Sequence, residues 1–176
     1  MTILLTSFWQ IYQLTTIKIV LIVGISAKQY QQRLQPILNK STMEHLVKEI
    51  VLSDKETLKE RKIKEFERGL RPDEKRIGGY QNGEYANEKN QMNPLAGFGN
   101  VDLIYSGSFV SKLFLKSYSN NPRGYIFDST DSKTDNLVGK YGLDILGLNQ
   151  EWFNKRQSEI YRYTLVYQII KNYKIA

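Results

Sequence analysis

Ser108-Phe109-Val110-Ser111-Lys112-Leu113-Phe114-Leu115-Lys116-Ser117-Tyr118, then Ser119-Asn120-Asn121-Pro122-Arg123-Gly124, then Tyr125-Ile126-Phe127-Asp128-Ser129, is the stretch that decides the fold. The first run alternates, with Phe109, Ser111, Leu113 and Leu115 on one face and Val110, Lys112, Phe114, Lys116 and Tyr118 on the other. Successive strand side chains point to opposite faces, so this pattern predicts a strand. The Ser/Asn/Pro/Gly cluster reads as a turn and the aromatic, β-branched run after it as the returning strand. Residues 108–129 are therefore expected to form a β-hairpin.

Upstream, residues 69–100 gather Gly69, Gly78, Gly79, Gly83, Gly97 and Gly99 with Asn82, Asn87, Asn90, Asn93, Asn100, Pro72 and Pro94. This composition predicts one extended loop, of the kind that is functional or held by partners. Gly78-Gly79-Tyr80 and Gly97-Phe98-Gly99 match no phosphate-binding spacing. Before the loop stand three helix starts, each with Ser followed at the third position by Glu or Gln. Ser26 opens a helix through Gln32, Leu34 and Leu38, with Pro36 ending or kinking it. Ser41 opens a second, facing Leu46, Val47, Ile50 and Val51 inward. Ser53 opens a third, facing Leu58, Ile63, Phe66 and Leu70 inward and stopping at Gly69 before Pro72. The dense charges of 54–68 read as a solvated face. Thr15 to Val23 is rich in β-branched residues and reads as a buried strand, and residues 1–14 as an arm or extension. The run Ile19 to Val23 is too short to cross a membrane. Downstream, a helix over about 150–172 would turn Trp152, Phe153, Ile160, Tyr163, Tyr167 and Ile170 inward.

These elements predict an α+β fold: a small antiparallel sheet with a β-hairpin packed against several helices, a long Gly/Asn-rich loop and an N-terminal arm. The expected organisation is an arm at 1–14 and a single domain over 15–176. A chain of 176 residues with 41% apolar and 12% aromatic side chains can build a real core. It has no Cys and one His, which excludes disulfides and thiolate chemistry and leaves little room for His-based metal sites. The net charge is +7, yet residues 41–150 are balanced. The excess sits at the ends, +4 over residues 1–40 and +3 over 151–176. A nucleic-acid surface usually gathers its basic residues on one face.

Candidate chemistry is sparse. Asp128, Asp131 and Asp135 are the best candidate, three carboxylates within eight residues that could ligate Ca²⁺ or Mg²⁺, but the EF-hand order is missing and Asp, Ser and Thr also terminate strands. A metal-dependent hydrolase would have to use it; the turn reading is preferred. Lys112, Phe114, Lys116 and Tyr118 resemble a basic-aromatic nucleic-acid face, or an edge strand kept soluble by Lys. His45 reads as a surface or boundary residue. No catalytic, cofactor or metal residue is assigned.

The order of features over residues 15–148 resembles the tailed-phage virion-morphogenesis, or tail-completion, family of head–tail joining and neck proteins. The likeness rests on Gly24-Ile25-Ser26 leading to Arg33-Leu34, on Phe66-Glu67-Arg68-Gly69-Leu70-Arg71-Pro72-Asp73, and on Lys89 ahead of Asn93-Pro94-Leu95. It continues through Asp102-Leu103-Ile104-Tyr105-Ser106-Gly107-Ser108-Phe109 to Lys140-Tyr141-Gly142. Where the family commonly carries Gly after Pro-Asp, this chain has Glu74. The resemblance implies a non-enzymatic structural protein of the virion, at the head–tail junction or tail. Its implied partners are further copies of itself in a ring and other virion proteins of the neck, portal-side adaptor or tail. It implies no cofactor, no membrane and no small-molecule substrate, with nucleic acid at most incidental. The alternative is a basic nucleic-acid-binding module using the charged termini and the Lys112/Phe114/Lys116/Tyr118 face.

Overall fold

The computed structural model describes residues 27–36, 39–117 and 124–173. The expected arm at 1–14, the strand over 15–23, the cap at Ser26, Leu38, Tyr118 and most of the hairpin turn lie outside the described residues. The chain divides into two compact units, Val51–Glu159 and the residues on either side of it.

Helix α1 spans Ala27–Leu34 and stops ahead of Pro36, as its sequence requires. Helix α2 spans Lys40–Ser53 and buries Leu46, Ile50 and Val51. Its cap is Asn39 rather than Ser41: the Asn39 Oδ1 accepts from the Ser41 backbone N–H at 3.0 Å and from the Ser41 hydroxyl at 3.0 Å. An Asn two residues upstream offers a better-placed acceptor, so the hydroxyl donates to it. Helix α3 spans Lys55–Glu67, and Asp54 rather than Ser53 takes the N-cap position. Asp54 makes no cap hydrogen bond, because Arg156 claims its carboxylate through Nε and, at 2.6 Å, through Nη2. The far end closes as expected: the Gly69 N–H donates to Phe66 O and the Leu70 N–H to Glu65 O, with Gly69 at φ 64°. A Cβ at Gly69 would stand 2.7 Å from Val101 O, so both conformation and space demand glycine.

The segment expected as one long loop contains a helix. Helix α4 spans Gly83–Met92, with Asn82 Oδ1 accepting from the Glu84 and Tyr85 amides, and a 3₁₀ turn at Pro94–Ala96 follows it. Two isolated β-bridges, Leu70 with Arg76 and Gly79 with Asn100, tie the rest. The apolar periodicity of a helix is missing from α4 because its buried residues are Ala86 and Lys89. Within the connection, Glu74 adopts φ 64°. Glycine is the residue suited to this conformation.

The hairpin is present but shorter than expected. Ser108–Ser111 forms one helical turn entered through Gly107 at φ 71°. Strand β1, Leu113–Ser117, then pairs antiparallel with β2, Tyr125–Ser129, Leu113 standing opposite Ser129 and Ser117 opposite Tyr125. The helical turn lets Phe109 and Val110, consecutive residues, both be buried, which a strand could not do on one face. β1 packs on α3, and Phe109 lies 5.8 Å from Phe66 between ring centroids. Phe66, Phe127, Leu58, Ile145 and Leu146 are almost wholly enclosed; each such side chain contributes about 1.5–3 kcal/mol relative to exposure. The fold is α+β: helices together with a two-stranded antiparallel hairpin.

Helix α5, Thr134–Tyr141, leads through a 3₁₀ turn at Leu143–Leu146 to helix α6, Gln150–Arg156, capped by Asn149. The helix continues through a π turn at Gln157–Tyr161 into helix α7, Arg162–Tyr173. The expected inward stripe changes here. Phe153 is buried, but Ile160, Tyr163 and Tyr167 are exposed and Tyr161 and Leu165 are buried instead. A π turn holds one more residue than an α turn, so the phase of the buried face changes after it.

Candidate interaction surface

Helix α4 is anchored by a buried ion pair. Lys89 and Asp102 side chains are 3% and 1% exposed, and the Lys89 ammonium contacts Asp102 Oδ1 directly. Asp102 Oδ2 also accepts from Asn93 Nδ2 at 2.7 Å, and Oδ1 from the Ile104 N–H at 3.4 Å. The same Asn93 Nδ2 donates to Glu67 O at 2.8 Å, while Asn93 Oδ1 accepts from the Leu95 N–H and so caps the 3₁₀ turn. Asn93 thus joins the end of α3, the end of α4 and the Asp102 carboxylate. A buried charge needs this degree of compensation to be tolerated.

With Ala86 and Lys89 turned inward, α4 presents Tyr85, Glu88 and Met92 outward at i, i+3 and i+7, flanked by Glu84. Tyr85 meets Tyr80 edge-on at 5.0 Å and lies 6.1 Å from Tyr105. Tyr105 covers the Lys89 ammonium at 5.3 Å and donates to Glu88 Oε1 at 3.4 Å. Burial raises the phenols of Tyr80 and Tyr85 above the ordinary tyrosine range, with the nearby Asp102 charge acting the same way. Leu95 and Phe98 follow in the chain and are about two-thirds exposed. Solvated loops rarely hold so many large apolar groups on so firm a base, and such surfaces mark contact sites.

The residues singled out from sequence take other roles. Lys112 reaches Asp131 Oδ2 at 3.3 Å and Lys116 contacts Asp128 Oδ2, so two lysines of the basic-aromatic face are matched by carboxylates. Phe114 is exposed beside them, and Tyr118 lies outside the described residues. Asp131 ends the strand as a turn residue: it accepts from the Lys133 N–H at 3.0 Å and the Ser108 hydroxyl at 2.8 Å, and these bonds hold its carboxyl below the usual range. Burial pushes Asp128 up, but the bonds from Lys116 and the Ser129 N–H outweigh it and leave the carboxyl low. Asp135 is exposed in the first turn of α5. Among the described residues, no group of three or more acidic or His side chains converges to hold a metal. His45 sits at the surface within 3.3 Å of Glu49.

Two features escape sequence reading. In α3, Lys62 is 1% exposed and donates to Glu65 Oε2 at 3.1 Å, so the charged helix buries an ion pair. Burial lowers the Lys62 pKa, partly offset by the Glu65 charge. Trp152 carries both the Arg61 and Arg156 guanidinium groups over its ring, 5.8 and 5.7 Å from the ring centre. The turn after α3 also meets the chain that follows α5. Arg71 binds Asp144 at 2.6 Å and the Tyr141 carbonyl, and Asn149 Nδ2 donates to Pro72 O at 2.8 Å. Their geometry makes them scaffold. Comparison with protein-family models, curated proteins and solved structures finds no match.

Proposed function

We propose that this chain is a non-enzymatic structural subunit of a tailed bacteriophage particle, placed at the head–tail junction or tail and acting through contacts with copies of itself and with other virion proteins. One observation supports the reading above the rest: the exposed aromatic and aliphatic surface of Tyr85, Met92, Leu95, Phe98 and Tyr105, held on the buried Lys89–Asp102–Asn93 node. Tyr, Phe and Met are the residues that enrich protein interfaces, and a surface fixed in advance loses little entropy on docking. The ordered motifs of the resemblance point the same way. The pairing of Lys112 and Lys116 with carboxylates weakens the nucleic-acid alternative, since a matched charge releases fewer counterions.

The test is density-gradient fractionation of phage-producing material, with the chain followed by mass spectrometry. Co-sedimentation with intact particles at a fixed copy number is expected. Its absence from intact particles overturns the reading, and salt-dependent nucleic-acid affinity becomes the next measurement.

A further inference from the structure

Two exposed helical faces of this chain complement one another. On α4 the outward residues are Tyr85, Glu88 and Met92, with Glu84 one position before Tyr85. Lys89, the one basic residue of this helix, is withdrawn into its pair with Asp102, which leaves the face acidic and apolar. On α7 and the π turn before it, Ile160, Tyr163 and Tyr167 are exposed and share the same i, i+3, i+7 spacing. One turn further stands Lys171, its ammonium 5.9 Å from the Tyr167 ring centre. Helix α7 contains Arg162 and Lys171 and no acidic residue. Both apolar stripes run over eight residues, about 10 Å from first to last.

We infer that the α7 stripe of one copy docks on the α4 face of the next copy, antiparallel, with Lys171 against Glu84. The charges fix the direction. Antiparallel packing sets Tyr167 over Tyr85 and Tyr163 beside Glu88, and Lys171, about 6 Å beyond Tyr167, reaches back with its long side chain to Glu84, about 1.5 Å beyond Tyr85. Parallel packing would carry Lys171 past Met92, where no carboxylate of α4 lies. The two faces differ, so each contact joins unlike surfaces of two copies, either reciprocally in a two-fold pair or head-to-tail in a ring or filament. A two-turn helix contact is small, so assembly is concentration-dependent. The inference rests on the structural-subunit reading for its biological meaning, though its test does not.

The experiment is sedimentation velocity of the full-length purified chain across a concentration series, with E84K, K171E and the double variant E84K/K171E. Each changed side chain lies at the surface, and far-UV circular dichroism checks that all variants fold alike. Wild type is expected to form a dimer or larger species as concentration rises. E84K and K171E should each shift assembly to about tenfold higher concentration, because an attractive surface pair becomes a repulsive one. The double variant should recover. So should an equal mixture of the two single variants, in which the introduced lysine of one meets the introduced glutamate of the other and the native Glu84 and Lys171 meet at the following contact. A monomeric wild type, single variants that assemble normally, or a double variant without recovery overturns the inference. Variants that assemble normally while the chain co-sediments with particles refute the pairing alone. Assembly with recovery but absence from particles refutes the virion reading alone.

Discussion

Removing either partner of the Lys89–Asp102 pair should cost far more than removing both. In Asp102→Leu the Lys89 ammonium stays 3% exposed with no counter-charge, keeping only the Tyr105 ring above it. An orphaned buried charge of this kind costs about 3–5 kcal/mol. In Lys89→Met the Asp102 carboxylate keeps its bonds from Asn93 Nδ2 and the Ile104 N–H, so the loss should lie near the lower end, about 3 kcal/mol. In the double variant an apolar pair replaces the ionic one, Asn93 retains the Glu67 carbonyl, and the Tyr80 hydroxyl still reaches the backbone at residue 102. It should return to within about 1–2 kcal/mol of wild type. Urea unfolding followed by far-UV circular dichroism reads this directly: with a slope of about 2 kcal/mol per molar, a 3–5 kcal/mol loss moves the midpoint by about 1.5–2.5 M. The cycle should show strong positive coupling. Single variants that each cost under about 1 kcal/mol, or costs that simply add, would refute the claim that this pair is desolvated and holds α4 in place.

The remaining predictions concern backbone and pH. Gly69→Ala and Gly99→Ala both force alanine to positive φ, about 1–2 kcal/mol each, but only at Gly69 does the new Cβ meet a carbonyl oxygen at 2.7 Å. Gly69→Ala should therefore be the more damaging by at least about 1 kcal/mol in the urea midpoint, and equal losses would refute the clash. Glu74→Gly relieves a φ of 64° and gives up only a 3.9 Å surface contact with Arg61 and a long bond from Asn149. It should stabilise by about 0.5–1 kcal/mol, and a lower melting temperature would show that Glu74 contributes more than its geometry suggests. Above about pH 10 the unfolded chain loses tyrosine protons that Tyr80, Tyr85 and Tyr125, raised by burial, still hold when folded, so stability falls as pH rises. Lys62 acts oppositely: its folded pKa is lowered, so between that value and 10.5 its contribution rises with pH. With three groups against one, urea midpoints should drop between about pH 10 and 11.5, and absorbance at about 295 nm should show tyrosines that ionise only as the chain unfolds.

What sequence could reveal here depended on whether apolar residues set the pattern. The hairpin core, the stop at Gly69–Pro72 and helices α1 to α3 were legible because Leu, Ile and Phe recur at the spacing of their elements. Helix α4 was not, since its buried face is Ala86 and Lys89 and it lies among glycines and asparagines. Asn82 and Asn93, which cap α4 and the 3₁₀ turn, read in the sequence as loop residues, because Asn serves loops and helix ends alike. The stripe of the last helix was misplaced after Phe153 because nothing in Gln157–Tyr161 signals a π turn. The turn at Ser108–Ser111 was hidden by residues whose alternation fits a strand equally well.

Buried lysines link what the sequence concealed to the proposed surface. Periodicity arguments assume that lysine faces water, and here Lys62 and Lys89 face inward against Glu65 and Asp102. Inverting a lysine does two things at once: it commits a basic residue to the interior, and it frees the opposite face of its helix for other side chains. On α4 that exchange turns Tyr85, Glu88 and Met92 outward and strips the face of positive charge. The same ion pair that concealed the helix therefore gives it the acidic, aromatic face on which a basic, tyrosine-bearing helix can dock.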